Sequence, residues 1–147
     1  MLETSIKKFS ELELEELYHI LQLRSAVFVV EQDCVYQDMD GKDKKAIHIL
    51  GRHDGKLVAY TRIFDSGDYF NEASIGRVVV DFNYRKFGYG KVIMEASIKA
   101  INNLFNQTDI KISAQLYLKK FYNDLGFIQF GESYLEDGIP HIGMLLN

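Results

Sequence analysis

At 147 residues, 47% of them apolar and 26% charged, the chain has the size of one globular domain that buries about 70% of its unfolded surface. A single cysteine, Cys34, excludes an internal disulfide, and no apolar run approaches the ~18 residues of a membrane span. The net charge of -4 gives no general attraction to phosphate polymers, so no nucleic-acid partner is expected and any polyanion site must be local.

Met1 to Ser10 alternates Leu, Ile and Phe with Glu and Lys and lacks the pattern of a secretory signal, so a reduced cytoplasmic setting is expected. No segment is rich in Pro, Ser or Gly, and no repeat period is found, so residues 1–147 are expected to form one domain. Ser10 and Glu13 have capping-box spacing, and Leu14, Leu17, Tyr18, Leu21 and Phe28 follow at helical intervals, which predicts a helix from about residue 11. Ala46 to Gly51 and Leu57 to Phe64 read as alternating strands turned at Asp54-Gly55, a hairpin.

Ser74 to Val80 ends in three valines, as in a strand buried on both faces; Val92, Ile93, Ala96, Ala100, Ile101 and Leu104 then make a helical stripe. Ile110 to Ala114 is a short strand, and Leu118, Phe121, Tyr122 and Leu125 have helical spacing closed by Gly126 in the C-terminal capping position. Phe127 to Phe130 and Ile139 to Leu146 supply the last strands, around a polar loop with Asp137-Gly138. Hairpins mixed with helical crossovers predict an α+β (mixed α/β) domain with antiparallel and parallel strand pairs.

Between Val78 and Lys91 a buried strand hands over to a helix through two glycines and three cations. Gly88 and Gly90 let the backbone approach a ligand, unpaired N–H groups open the helix, and Arg85, Lys86 and Lys91 add positive charge: an anion cradle suited to phosphate. A Walker loop is excluded because Arg85 and Val92 stand where it needs Gly and Ser or Thr, and a dinucleotide fingerprint because Ile93 stands where it needs a small residue.

Asp38 to Asp43 fails as a calcium loop, since Tyr36 and Ile47 fall at the first and twelfth positions. His48 and His53 lie five apart and face opposite sides of an extended strand, so no metal site is expected. Cys34 reads as a packed thiol. The acidic residues Glu31, Asp33, Asp38, Asp40 and Asp43 read as a solvated surface or as an attractor for a cationic substrate.

Val80, Tyr84, Arg85, Gly88 and Gly90 match, position by position, V-x-x-x-Y-R-x-x-G-x-G/A, and the segment resembles the acetyl-CoA motif of the GCN5-related N-acetyltransferase (GNAT) superfamily. Phe121 to Phe127 is similar to that superfamily's F-Y-x-x-x-G-F segment. Val27 to Gln32 with Tyr36, Asp40 and Asp43, then Ala114-Gln115 and Glu136 to Ile142, resemble its ElaA-like branch, so the resemblance covers nearly the whole chain. The sequence departs from the superfamily pattern at Phe82, often proline, Lys86, often glycine, and Gln115, often asparagine.

The resemblance implies a GNAT-like fold, a central mixed sheet of about six to seven strands flanked by helices. It implies acetyl transfer from acetyl-CoA, a co-substrate, to a small-molecule or protein amine in a direct ternary complex, and leaves homodimerisation open. By the same resemblance the backbone of Val78, Val79 and Val80 bonds the pantetheine arm. The amides of Arg85, Lys86, Phe87, Gly88, Tyr89, Gly90 and Lys91 hold the pyrophosphate, and Gln115 joins this set. Tyr122 protonates the departing thiolate, unless it is a core residue; seven residues from Gln115, it is expected on the same helical face. The glutamate that the superfamily often carries on the strand matching Ser74 to Val80 is missing, so Glu31 and His141 stand as candidate bases. Arg24, Phe28, Asp40 and Asp43 also resemble acyl-homoserine-lactone synthases, and the missing base leaves room for a non-catalytic acetyl-CoA-binding module.

Overall fold

The computed structural model describes all residues, 1–147. Seven strands form one sheet: β1 (Glu3–Lys8), β2 (Ile47–His53), β3 (Lys56–Phe64), β4 (Ala73–Val80), β5 (Ile110–Gln115), β6 (Ile128–Glu136) and β7 (Ile139–Leu146). Three helices accompany them: α1 (Leu14–Arg24), α2 (Tyr89–Phe105) and α3 (Lys119–Asp124). The spatial order is β1-β2-β3-β4-β5-β7-β6, with every pair antiparallel except β4 and β5. The expected mixed α/β class and sheet size are borne out.

Local chemistry explains the turns. Asp54 and Gly55 both have positive φ, 49° and 82°, as do Asp137 and Gly138, 52° and 76°. Two left-handed residues in a row match the twist of the flanking strands, so each pair closes a tight hairpin. The expected polar loop at Asp137-Gly138 is thus only a turn, and β6 extends to Glu136 through an irregularity between Phe130 and Tyr134.

The sheet is covered on both faces. Ile93, Met94, Ala100 and Ile101 of α2 join Ile49, Ala59, Ile63 and Ile75 in the larger core, while Ile20, Leu23 and Val27 pack with Leu50, Tyr60 and Val79 on the other side. The expected helix faces need correction. Leu14 and Tyr18 are 87% and 68% exposed, and α1 begins at Leu14, where Glu13 and Glu16 form the capping box expected of Ser10 and Glu13. On α2, Val92 and Leu104 are exposed, and Tyr89, Met94 and Ser97 take core positions.

Fully buried Arg24 follows from a charge network rather than from hydropathy. Arg24 bonds Asp38 and Asp43, both at 2.8 Å, and Arg62, also buried, bonds Asp40 at 2.6 and 2.9 Å and Asp43 at 2.9 Å. Arg77 Nε pairs with Asp38 Oδ1 at 2.8 Å as an ion pair without hydrogen-bond alignment, and its Nη2 donates to the Asp38 carbonyl at 2.8 Å. Three cations thereby match three carboxylates, as burial of charge requires. Asp38, Asp40 and Asp43 are neither a solvated surface nor free to attract a substrate, which corrects both expectations for them.

Candidate functional site

The site exists because β4 and β5 part company. They pair only at Ala73 with Ile110 and Ser74 with Lys111, and beyond those residues the parallel strands splay. On its other edge β4 carries a bulge, where Arg77 and Val78 oppose Thr61 alone and Arg77 adopts φ 50°. A cleft of about 560 Å³ opens between the strands, a volume suited to a small-molecule ligand. Val78, Val79 and Val80 line one wall. Only Val79 among them is fully buried, because the strand faces the cleft rather than being covered on both sides as expected.

That wall ends in the glycine loop. Asp81 caps a 3₁₀ segment, Phe82–Phe87, by accepting from Asn83 N–H at 2.9 Å, and Gly88 turns the chain into α2 with φ 72°. A side chain at Gly88 would meet nothing, so glycine is there for conformation and open approach. A Cβ at Gly90 would lie 3.3 Å from the Phe121 ring, so Gly90 is there for packing. Arg85, Gly88, Gly90 and Lys91 line the cleft. The side chains of Phe87 and Tyr89 turn away: Tyr89 is buried with its hydroxyl 2.5 Å from His53 Nδ1, and Phe87 stacks on His53. Lys86 lies over the Phe87 ring. These three can offer only backbone or long-range charge.

The opposite wall is one face of β5, β7 and β6. In β5 Ile110, Ile112 and Ala114 are buried on the core side, so Ser113 and Gln115 fall on the cleft side. The register sets Gln115 beside His141 and His141 beside Tyr134, and Glu136 is two residues on. His141 is 7% exposed; its Nδ1 lies 2.7 Å from the Ile139 carbonyl and its Nε2 3.4 Å from Glu136 Oε2. Ser113 Oγ contacts the Tyr134 hydroxyl and lies 3.3 Å from Glu136 Oε1. Alternation within β5 could have flagged Ser113; Tyr134 gave no local signal.

A π-helical segment, Ser25–Glu31, continues α1 and delivers a strap that ties the two walls together. Glu31 accepts from Arg85 Nη1 and Nη2 at 2.5 and 2.8 Å, so its carboxylate is committed. Gln32 and Gln115 exchange amide hydrogen bonds at 3.1 and 3.2 Å. Cys34 donates to the Asp137 carbonyl at 3.3 Å; half-buried and lining the cleft, it is not the packed core thiol expected of it.

Tyr122 lines the cleft from α3 and is 6% exposed, with Phe121 and Phe127 edge-on at 5.0 and 6.1 Å. Burial pushes its phenol above the ordinary tyrosine value. Gln115 and Tyr122 do not share a helical face, because Gln115 ends β5 and a 3₁₀ turn, Leu116–Leu118, precedes α3; they meet through the cleft instead. Arg24, Asp40 and Asp43 belong to the buried network and do not line the cleft.

The comparisons agree with this architecture. A family model described as an acetyltransferase (GNAT) domain matches residues 8–147. Protein ElaA of Escherichia coli is 44% identical over 146 residues, 98% of this chain and 95% of that protein, and its crystal structure superposes with a TM-score of 0.92. The structure of an acyl-CoA N-acyltransferase from Pseudomonas aeruginosa superposes with a TM-score of 0.93 at 42% identity, covering 100% of both chains. The AHL synthase LasI, at 14% identity and a TM-score of 0.74 over 99% of this chain and 89% of its own, shares the fold alone. A glycine loop at the head of α2, a cleft between splayed strands and these full-length similarities lead to one conclusion: the chain belongs to the GNAT acetyltransferase family.

Proposed function

We propose that the protein transfers an acetyl group from acetyl-CoA to an amine by direct attack within a ternary complex. The observation that carries this reading is the continuous cleft from the Gly88–Gly90 loop to the face bearing His141. The loop suits a pyrophosphate: α2 begins with N–H groups that have no helical partner, and Arg85 and Lys91 flank them. On β4, the edge that leaves β5 after Ser74 offers backbone groups to an extended pantetheine arm.

Amide formation from a thioester needs a neutral amine, a donor for the oxyanion and stabilisation of the leaving sulfur. A backbone N–H at the end of β4 is the oxyanion donor. His141 is the base, since Glu31 is held by Arg85. Tyr122 donates a hydrogen bond to the departing sulfur. Its raised pKa makes it a weaker acid than a thiol of pKa ~8.5, so it stabilises the thiolate rather than surrendering its proton.

The test is release of CoA thiol from acetyl-CoA across a library of amines. Release above the buffer rate is expected with at least one amine. CoA binding without turnover on any amine would instead identify a binding module, and a lactone formed from S-adenosylmethionine and acyl carrier protein would identify the synthase chemistry.

A further inference from the structure

The face made by β5, β7 and β6 carries polar groups that binding acetyl-CoA does not require, and their geometry defines a ligand. The Ile139 carbonyl can only accept, so His141 Nδ1, 2.7 Å away, carries the proton in the neutral ring and Nε2 presents a lone pair. That lone pair faces Glu136 Oε2 at 3.4 Å. In the neutral ring, therefore, two acceptors confront one another. A nitrogen bearing several N–H donors could sit about 2.9 Å from both at once, which neither a hydroxyl nor a carbonyl can match.

The surroundings fix the pair for this task. Ser113 Oγ holds the other oxygen of Glu136 at 3.3 Å and contacts the Tyr134 hydroxyl, and the Tyr134 ring stacks on His141 with an interplanar angle of 24°. The titratable neighbours are Glu136 and Tyr134 from β6, Asp137 from the turn and Cys34 from the strap. None is a cation. Arg77 is matched by Asp38 and Asp40, and Arg85 by Glu31, so the cleft is polarised with Lys91 on the β4 wall and free carboxylates on the other.

We infer that Glu136 and His141 form the acceptor subsite, which takes a primary ammonium whose neighbouring carbon bears no carboxylate. The inference rests on the acyl-transfer function proposed for this cleft. Glu136 binds the ammonium through Oε2, and His141 Nε2 takes one proton from it. The freed lone pair forms the N–C bond to the thioester carbon, the C–S bond breaks with its electrons on sulfur, and the second proton released by nitrogen ends on that sulfur. His141 returns its proton to water. A carboxylate beside the amine would face Glu136 and Asp137, a repulsion that disfavours free α-amino acids at their α-nitrogen.

Pentylamine, pentan-1-ol and norleucine share a chain and differ in these features. Histidine-labelled protein saturated with CoA is titrated with each while the His141 signal, assigned with His141→Gln, is followed by NMR. Pentylamine is expected to shift it saturably, and the alcohol and the amino acid are not. Glu136→Gln should weaken the pentylamine response about tenfold, the scale of one charge-assisted hydrogen bond, with CoA affinity by calorimetry unchanged. Equal responses to amine and alcohol, no response to pentylamine, or an unchanged response in Glu136→Gln would overturn the subsite. CoA release from acetyl-CoA on the same samples separates the two readings. Saturable amine binding without release would reject acyl transfer and keep the subsite, whereas release with an acceptor KM untouched by Glu136→Gln would reject the subsite and keep acyl transfer.

Discussion

Arg85 grips Glu31 with both terminal nitrogens, at 2.5 and 2.8 Å, while its Nε donates to the Val80 carbonyl at 3.1 Å. One guanidinium therefore joins the strap, the glycine loop and the end of β4. Hydrogen bonding to Glu31 is the main cause that raises the Arg85 pKa. The pair is partly exposed, with side chains 39% and 34% accessible, so its own worth is about 0–1 kcal/mol.

Arg85→Ala is expected to weaken CoA binding by more than that pair is worth, because it removes a cation beside the phosphates and leaves the Glu31 charge facing them. Calorimetry at low and high salt should show the loss shrinking as salt rises. A loss independent of salt would mean that packing, not charge, is the cause. In the double variant Arg85→Ala with Glu31→Gln, part of the affinity should return.

The two glycines should fail differently. Gly88→Ala places a side chain at φ 72°, a strain of about 1–2 kcal/mol, in open space, so stability should fall while CoA still binds. Gly90→Leu presses on Phe121 and fills the approach to the loop, so CoA binding should vanish while circular dichroism stays native. Equal CoA affinities in wild type and Gly90→Leu would discard the loop as the phosphate site.

Sequence pattern revealed the glycine loop and the Asp54-Gly55 hairpin turn because each is made of consecutive residues with local chemistry, whereas Asp137-Gly138 read as part of a longer polar loop because β6 continues to Glu136 past its irregularity. The edge strand β1 escaped notice because Glu3 to Lys8 offers mainly Ile6 as an apolar residue, itself 50% exposed. The true buried face of α1 includes Arg24, which hydropathy places outside; only Asp38 and Asp43, far along the chain, make its burial tolerable. The face bearing His141 was half legible. His141 stood out by type, but Tyr134 and Ser113 join it only through strand register, and the irregularity after Phe130 hides the register of β6.

Acid should unfold the protein in two stages. His48 donates from Nε2 to the Asp43 carbonyl at 2.9 Å and accepts the Tyr60 hydroxyl at Nδ1 at 2.6 Å, so it is neutral, and burial lowers its pKa. A lowered pKa means that the unfolded chain binds more protons below its ordinary value near 6.5, so stability falls as pH drops through that value. Burial opposes ionisation of Asp43 and Glu16. Bonds from Arg24 and Arg62 overcome it at Asp43, and bonds from the Glu13 N–H, Lys7 and Arg52 at Glu16, which is lowered to about 2. Their stabilisation is present above about pH 4 and is lost below it. Urea midpoints measured from pH 8 to 3 should show both declines, with the first one absent in His48→Gln. Arg24→Met, which leaves Asp38, Asp40 and Asp43 with only Arg62 and Arg77 and so one buried carboxylate charge uncompensated, should cost about 3–5 kcal/mol at pH 7.

Tyr122→Phe isolates one oxygen atom. The ring keeps its edge contacts with Phe121 and Phe127, so the core should hold and CoA affinity should stay nearly unchanged. What disappears is a hydrogen bond to a sulfur that becomes negative as the C–S bond breaks. A bond to a charged partner is worth about 1.5–3 kcal/mol, and if it forms only in the transition state kcat should fall by roughly 10- to 150-fold with KM for acetyl-CoA held. A fall beyond about a thousandfold would mean full proton transfer, as expected of a general acid but not of a phenol whose pKa burial has raised. A fall under about threefold, or lost stability with an unchanged rate per folded molecule, would return Tyr122 to the core and leave the thiolate to depart with help from water alone.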